Sequence, residues 1–175
     1  MRILVAIVIL LGFGACKKID KLTEFDIDYT ETVTIPSSTG ISLPFNLYSP
    51  NVETNSESTF EVNDTRKDLI EAINLKQLTL TILSPNGADF SFLESITIYL
   101  NAEGLNETKL AYLDDVTANA GHSINLVVSN TDFKEYIKKD EIALRVNTVT
   151  DETIAQDHQI KVYTLFHVDA KILGR

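Results

Sequence analysis

Cysteine is almost absent from this chain, since Cys16 is the only one in 175 residues. A secreted domain braced by disulfides carries cysteines in even sets, so a disulfide framework is excluded. Zinc sites built from spaced Cys and His residues are excluded for the same reason. Tryptophan is also absent, which leaves six Tyr and eight Phe to serve the core or a ligand.

Positive charge is in short supply. The chain carries 15 Lys and Arg against 25 Asp and Glu, a formal net charge of −10. Nucleic acid phosphates require a basic face, so a nucleic-acid partner is excluded. The same balance argues against direct electrostatic adhesion to anionic lipid. The charges are scattered rather than clustered in runs, which is typical of a soluble surface.

No catalytic motif is present. Nucleophilic catalysis needs an activated Ser, Cys or Thr beside a base, and the Gly-x-Ser-x-Gly elbow is missing. His122 is predicted to lie in a loop, and His158 and His167 at exposed strand positions. An unbroken strand would point His158 and His167 to opposite faces, so they could not share a metal. We therefore predict a protein that is not an enzyme. A hydrolase whose carboxylates meet only in space is the alternative.

The N-terminus is the most informative stretch. Arg2 is followed by an apolar run over residues 3–13, then by the small pair Gly14-Ala15, and then by Cys16. The run is too short to cross a bilayer, which takes about 20 apolar residues. Its order of charge, apolar segment and small residues is that of a secretory signal. This segment resembles the signal of bacterial lipoproteins, in which the cysteine after the small pair is lipidated.

The resemblance implies a signal peptide over 1–15, a lipidated Cys16, a tether over 16–24 and a single domain over 25–175. Cys16 would carry palmitate or a related acyl chain within a lipid group of several chains, which is enough for stable anchoring. The implied location is the cell envelope, at the outer membrane. Lys17 and Lys18 leave the periplasmic and the external leaflet both open.

Alternation of apolar and polar residues predicts about nine strands after the tether. It is clearest at 25–35, where Phe25, Ile27 and Tyr29 begin an apolar row. A second run follows at 41–47, and Pro44 inside it places that strand at a sheet edge or at a bulge. Residues 49–58 are predicted to form a loop. The remaining predicted strands cover 60–62, 78–82, 96–100, 110–113, 124–128, 142–146 and 160–172, and the last of them is predicted to lie mid-sheet.

Two short helices are predicted as well. Thr65 followed by Asp68 suggests a capping box before a helix that runs through Ile73. The second helix follows Asp132 and carries Phe133 on its apolar face. We interpret both as crossovers between sheets. The predicted fold is an all-β, antiparallel two-sheet β-sandwich, Ig-like in architecture, with two short connecting helices.

Exposed tyrosines are the candidate ligand-binding residues, because sugars stack on aromatic rings. Tyr99 and Tyr163 are the main candidates, since each lies opposite the apolar row of its strand. Tyr48 and Tyr112 could also serve. The alternative is that these are ordinary amphipathic side chains on the solvated faces of strands.

Metal binding is not expected, and calcium is the one alternative. Three acidic pairs lie near strand ends, where sandwich loops can gather oxygen ligands. They are Asp114-Asp115, Asp140-Glu141 and Asp151-Glu152. Acidic pairs in turns mostly face water, so no cofactor is predicted.

Together these features predict a membrane-anchored, non-enzymatic lipoprotein. It would be a binding or scaffold module of an outer-membrane assembly, with a protein partner in the cell envelope. The alternative is a surface lipoprotein that binds a glycan or small ligand through its tyrosines.

Overall fold

The computed structural model describes residues 24–37 and 43–171. The predicted signal peptide, Cys16 and nearly all of the tether lie outside the described residues. In chain order the strands are β1 (Glu24–Ile35), β2 (Phe45–Tyr48), β3 (Val52–Glu53), β4 (Ile70–Ser84), β5 (Leu93–Ala102), β6 (Thr108–Leu113), β7 (Ser123–Asn125), β8 (Val127–Val128), β9 (Glu141–Thr150) and β10 (His158–Ala170).

The strands form two antiparallel sheets. The four-stranded sheet has the order β1-β10-β4-β7, and the six-stranded sheet has the order β2-β9-β5-β6-β8, with β3 pairing to β9 beside β2. Two short helices, α1 (Ser56–Val62) and α2 (Lys134–Ile137), lie between strands. Within the described residues, neither helix approaches the length and hydropathy needed to cross a bilayer. The predicted all-β sandwich with two short helices is confirmed.

The core lies between the two sheets. Alternate residues of each long strand point inward, and many of these side chains are fully buried. Burying one such Leu, Ile or Phe contributes about 1.5–3 kcal/mol. The predicted position of β10 in the middle of its sheet is confirmed, because it pairs with β1 on one side and β4 on the other. The largest fully buried side chains include Phe60, Phe90, Phe133, Phe166, Ile73, Leu78, Ile98 and Leu100.

Three of the four sheet edges are short. β7 has three residues and β8 has two, while β2 and β3 have four and two. The predicted edge position of β2 is confirmed, but Pro44 precedes the strand and does not lie inside it. The fourth edge is β1, whose 12 residues pair with β10 in one unbroken register.

The helix predicted after Thr65 is wrong. A single 3-10 turn (Lys67–Leu69) leads into β4, which is extended from Ile70 onward. The pairing of β4 with β10 has three irregularities, each of which adds one residue to β4: Glu71, Lys76 and Leu83. The first two explain the wrong prediction. They stretch the spacing of some buried residues from two to three, which imitates helical periodicity.

The loop predicted at 49–58 and the strand at 60–62 are also wrong. This stretch contains β3 and α1. Phe60 of α1 is fully buried, and its ring centroid lies 6.3 Å from that of Phe25 at the start of β1. With one large apolar anchor in two turns, α1 has too little periodicity to be found from the sequence.

The prediction that the two helices cross between sheets is wrong. The first predicted helix is absent, and α2 joins β8 and β9 within one sheet. A different helix, α1, lies between β3 of the six-stranded sheet and β4 of the four-stranded sheet. The crossover between sheets near 124–128 occurs instead at Leu126. This buried residue separates β7 from β8, so the single strand predicted there is two strands in different sheets.

Candidate functional site

The outer surface of the six-stranded sheet gathers tyrosine, asparagine and arginine side chains in two adjacent rows. In one row Tyr48 pairs with Arg145, Arg145 with Tyr99, and Tyr99 with Lys109. The second row places Asn46 beside Asn147, Asn147 beside Thr97, and Thr97 beside Tyr112. We call this surface the tyrosine face, and it comprises Asn46, Tyr48, Thr97, Tyr99, Lys109, Tyr112, Arg145 and Asn147.

Arg145 is the centre of the tyrosine face. Its Nε donates to Glu107 Oε2 at 2.8 Å, and its Nη2 donates to Glu107 Oε1. Its Nη1 donates to Asn46 Oδ1. The guanidinium also lies 4.0 Å from the ring centroid of Tyr99, a distance typical of cation–π stacking. One side chain therefore fixes three neighbours from β2, β5 and the β5–β6 loop.

The ion pair with Glu107 sets the electrostatics of this face. Hydrogen bonds from Arg145 lower the pKa of Glu107, and the bond from Asn101 lowers it further against the opposing effect of desolvation. The same pair raises the pKa of Arg145. Both groups remain charged at neutral pH and compensate each other, so the centre of the face is locally neutral in an acidic protein.

The rest of the tyrosine face is open to a ligand. The Tyr48 side chain is 71% exposed. Asn46 Oδ1 accepts a second hydrogen bond from Asn147 Nδ2 at 3.0 Å, and Lys109 Nζ lies 4.9 Å from the Tyr112 ring centroid. Tyr, Asn and Arg are the side chains that recognition surfaces favour, because they combine large contact area with adaptable hydrogen bonding. This arrangement can bind, and none of these groups is an activated nucleophile.

Tyr163 lies on the other side of the molecule. It projects from β10 on the outer surface of the four-stranded sheet, where its register neighbours are Thr30 and Thr79. Tyr99 and Tyr163 are therefore separated by both sheets and the core, and they cannot contribute to one site. Of the two candidates, only Tyr99 belongs to an organised cluster of polar side chains.

The histidines do not form a reactive set. His167 Nδ1 lies 2.8 Å from Asp26 Oδ1 on the outer surface, where hydrogen bonds from Lys76 and then His167 lower the pKa of Asp26. His122 is exposed. The exposure predicted for His158 is wrong, because its ring packs against Phe92 at 4.6 Å and is buried. The predicted opposite orientation of His158 and His167 is confirmed.

The acidic pairs do not converge on one site. Asp140-Glu141 and Asp151-Glu152 flank opposite ends of β9. Lys67 Nζ forms an ion pair with Asp140 at 3.0 Å, and Glu141 accepts a hydrogen bond from Asn51 at 2.7 Å. Across 24–37 and 43–171, no cluster of three or more His, Cys, Asp or Glu side chains is placed to hold a metal ion.

Sequence reasoning missed Arg145 and the side chains around it. The alternation along β9 already places Arg145 and Asn147 on the polar face of that strand. What the sequence does not contain is the pairing of β9 with β2 and β5, which brings these residues beside Tyr48 and Tyr99. Register between strands distant in the chain leaves no local signal.

Comparison with known proteins identifies no family. No model of a known protein family matches the chain, and no curated protein does. Among solved structures, CpGH89CBM32-5 from Clostridium perfringens, in complex with GalNAc-β-1,3-galactose, is 10% identical with a TM-score of 0.37, over 82% of this chain and 97% of that one. A structure of Desmodium yellow mottle tymovirus is 12% identical with a TM-score of 0.28, over 87% and 85%. Because these scores lie below 0.5, neither likeness bears on function.

Proposed function

We propose that this protein is a non-enzymatic binding module, held at a membrane by a lipidated Cys16, which presents its tyrosine face to a protein partner in the cell envelope. The observation that carries the proposal is the network centred on Arg145. It holds aromatic and amide side chains from three strands in fixed positions before any ligand arrives. Such pre-organisation reduces the entropy cost of binding.

The composition of the tyrosine face favours a protein as partner. Tyr and Arg are enriched at the centres of protein interfaces, and each provides a large contact area. Since Arg145 is already neutralised by Glu107, the centre of the face does not select for an anionic ligand. Its polar rows suit a mixed polar and aromatic surface on the partner.

A glycan is the second candidate ligand. The exposed ring of Tyr48 lies beside Asn46, whose register partner is Asn147. An aromatic ring next to fixed amide groups can stack against a sugar while the amides bond its hydroxyls. Tyr99 is less available for stacking, because the Arg145 guanidinium already covers one face of its ring.

The anchor would keep this module close to the lipid surface. β1 begins at Glu24, eight residues after Cys16, and a chain of that length spans at most about 25–30 Å. A partner in the same membrane, or in the adjacent envelope layer, would then lie within reach. Residence at the outer membrane is part of the proposal.

Binding to two panels would test the proposal with one pair of variants. The full chain in an uncharged detergent is applied to solubilised envelope proteins and to a glycan array, as wild type, Tyr48→Ala and Tyr163→Ala. We expect Tyr48→Ala to lose the ligand that the wild type retains, and Tyr163→Ala to keep it, because Tyr163 lies on the opposite sheet. Equal loss in both variants, or no ligand in either panel, would overturn the proposal.

A further inference from the structure

The outer edge of β1 is an exception among the edges of this sandwich. A sheet edge presents unpaired backbone N–H and C=O groups, and proteins usually shorten, bulge or cover such strands. The other three edges are short, whereas β1 offers 12 residues in an unbroken register. β1 contains neither Lys nor Pro, the residues that most often block an edge. In the described residues only β10 pairs with it.

A groove runs beside this free edge. β1 forms one wall with residues 26–29, and the segment from β3 into α1 forms the other, giving a volume of about 330 Å³. Tyr29 bridges the two walls, because its hydroxyl donates to the Thr54 carbonyl at 3.0 Å. The groove is therefore a fixed feature at the side of the sandwich, with one sheet edge exposed along it.

The groove is acidic. Asp26, Asp28 and Glu53 line it, and no Lys or Arg does. Asp26 is already paired with Lys76 and His167 on the outer surface of the sheet. Within the described part of the chain, the carboxylates of Asp28 and Glu53 have neither an ion pair nor a hydrogen bond. A second groove shares residues 53–55 with the first and continues past α1, again without a basic side chain in its walls. Its further acidic residues are Glu57, Glu61, Asp140 and Glu141.

Ser56 marks the junction of the two grooves. Its side chain lines the second groove and is 2% exposed. Its hydroxyl is the one buried side-chain polar atom, among the described residues, that has no hydrogen-bond partner. A buried polar group without a hydrogen-bond partner is unfavourable, and a polar backbone group of a ligand in the groove would supply one.

A second copy of the chain is a poor occupant for this edge. Glu31 points inward from β1 and lines the space between the sheets with Val52 and Leu144. An inward-pointing charge on an edge strand opposes pairing at that position, so the part of the edge that can accept a strand is the stretch along the groove, residues 26–29. Two β1 strands together would also double the carboxylates of Glu24, Asp26 and Asp28 along one seam, in a protein of net charge −10.

We propose that the free edge of β1 and its acidic groove bind an extended segment of a partner protein, which adds a strand to the four-stranded sheet. The segment would alternate basic and apolar residues. Its apolar side chains would continue the inward row of Phe25 and Ile27, and its basic side chains would meet the carboxylates of Asp28 and Glu53. Backbone hydrogen bonds would supply affinity and the side chains specificity. This site is distinct from the tyrosine face and does not depend on it.

A synthetic peptide tests this site directly. The probe is a fluorescent ten-residue peptide that alternates Lys and Val, with blocked ends, added to the full chain in an uncharged detergent. Its affinity is measured by anisotropy, and protection of the β1 amides by hydrogen exchange. We expect saturable binding with protection at residues 26–29, and a loss of about tenfold or more when every peptide nitrogen is methylated, because strand addition needs those donors.

Two double variants distinguish binding in the groove from a general effect of the protein's negative charge. The double variant Asp28→Asn with Glu53→Gln should weaken binding of the Lys-Val peptide about threefold or more, because two exposed ion pairs with the peptide are lost. Asp114→Asn with Asp115→Asn makes the same charge change in a loop outside both grooves and should leave the affinity unchanged. The proposal would be overturned if both variants lost the same affinity for the Lys-Val peptide, or if the wild type bound the methylated and unmethylated peptides equally well. Self-association of the full chain that blocks the peptide would also overturn it, in favour of a second copy.

Discussion

Arg145 connects more of the tyrosine face than any other side chain. Its guanidinium contacts Glu107, Asn46 and the Tyr99 ring at once. Its side chain is 17% exposed, and that of Glu107 is 32% exposed. Bidentate geometry and partial burial make this pair stronger than a typical surface ion pair. The residue therefore matters for the shape of the face as well as for its charge.

Replacing Glu107 by Gln should reduce the free energy of unfolding by about 0.5–1 kcal/mol at pH 7. The folded-state pKa of Glu107 lies below its ordinary value of 4.5. Its contribution is therefore present above pH 4.5 and is lost as the pH falls through the folded-state pKa. Urea unfolding should show a larger difference between variant and wild type at pH 7 than at pH 3. The exposed Glu103→Gln variant is the control, and an equal difference at both pH values would contradict this assignment.

Tyr29 should make stability sensitive to alkaline pH. Burial raises its pKa above the ordinary value of 10.0, with a further contribution from Asp28. Above pH 10 the unfolded chain ionises this tyrosine while the folded chain keeps it protonated, so folded stability falls as the pH rises. Tyr29→Phe loses the hydrogen bond to Thr54, which should lower the free energy of unfolding by about 1 kcal/mol at pH 8. Because phenylalanine does not ionise, the variant should not lose further stability above pH 10. The gap between the two proteins should narrow by pH 11 in urea unfolding, and a gap that widens would refute the argument.

At the scale of elements, Asp132 joins α2 to the four-stranded sheet. Its Oδ1 accepts hydrogen bonds from the backbone N–H of Lys134 at 2.9 Å and of Ile73 at 3.0 Å. The second bond ties the helix to β4, and it is reinforced by the bond from Phe133 N to the Ile73 carbonyl at 2.7 Å. One carboxylate thus satisfies backbone donors on two elements.

Asp132→Ala should therefore lower the free energy of unfolding by about 1–2 kcal/mol, because two backbone donors lose their acceptor. Asn130→Ala is the matched control, since Asn130 is exposed and forms no hydrogen bond within the described residues. Thermal and urea unfolding of the two variants measure the difference. Equal stability of Asp132→Ala and Asn130→Ala would show that the carboxylate does not join the two elements.

The elements that the sequence predicts well are those with clean alternation. β1, β5, β9 and β10 follow a period of two along most of their length, so their burial could be predicted. The strand predicted at 78–82 is the second half of β4. The first half was missed because Glu71 and Lys76 interrupt its alternation, and α1 was missed because Phe60 is its single large anchor. The tyrosine face could be predicted only as separate outward-facing residues. Its assembly depends on pairing between strands up to a hundred residues apart, which local patterns do not encode.

At the scale of the whole molecule, the predicted anchor and the folded sandwich make separate contributions. The described residues contain a complete two-sheet core, and the proposed lipid would add location without adding to that core. Cys16→Ala should abolish palmitate labelling and move the protein from the detergent phase to the aqueous phase, with unchanged thermal unfolding. Retention of the variant in the detergent phase would show that Cys16 is not the membrane anchor. Cys16→Ser serves as a second variant with the same expected result.

The most direct test of the central claim, that the tyrosine face is the binding surface, is site-specific photo-crosslinking in native membranes. A photoreactive residue is placed at Tyr48 or Asn147 on the tyrosine face, and at Tyr163 or Thr79 on the opposite sheet. We predict one discrete crosslinked product from the first two positions and none from the last two. The same product from all four positions, or a product from Tyr163 and Thr79 alone, would contradict the claim.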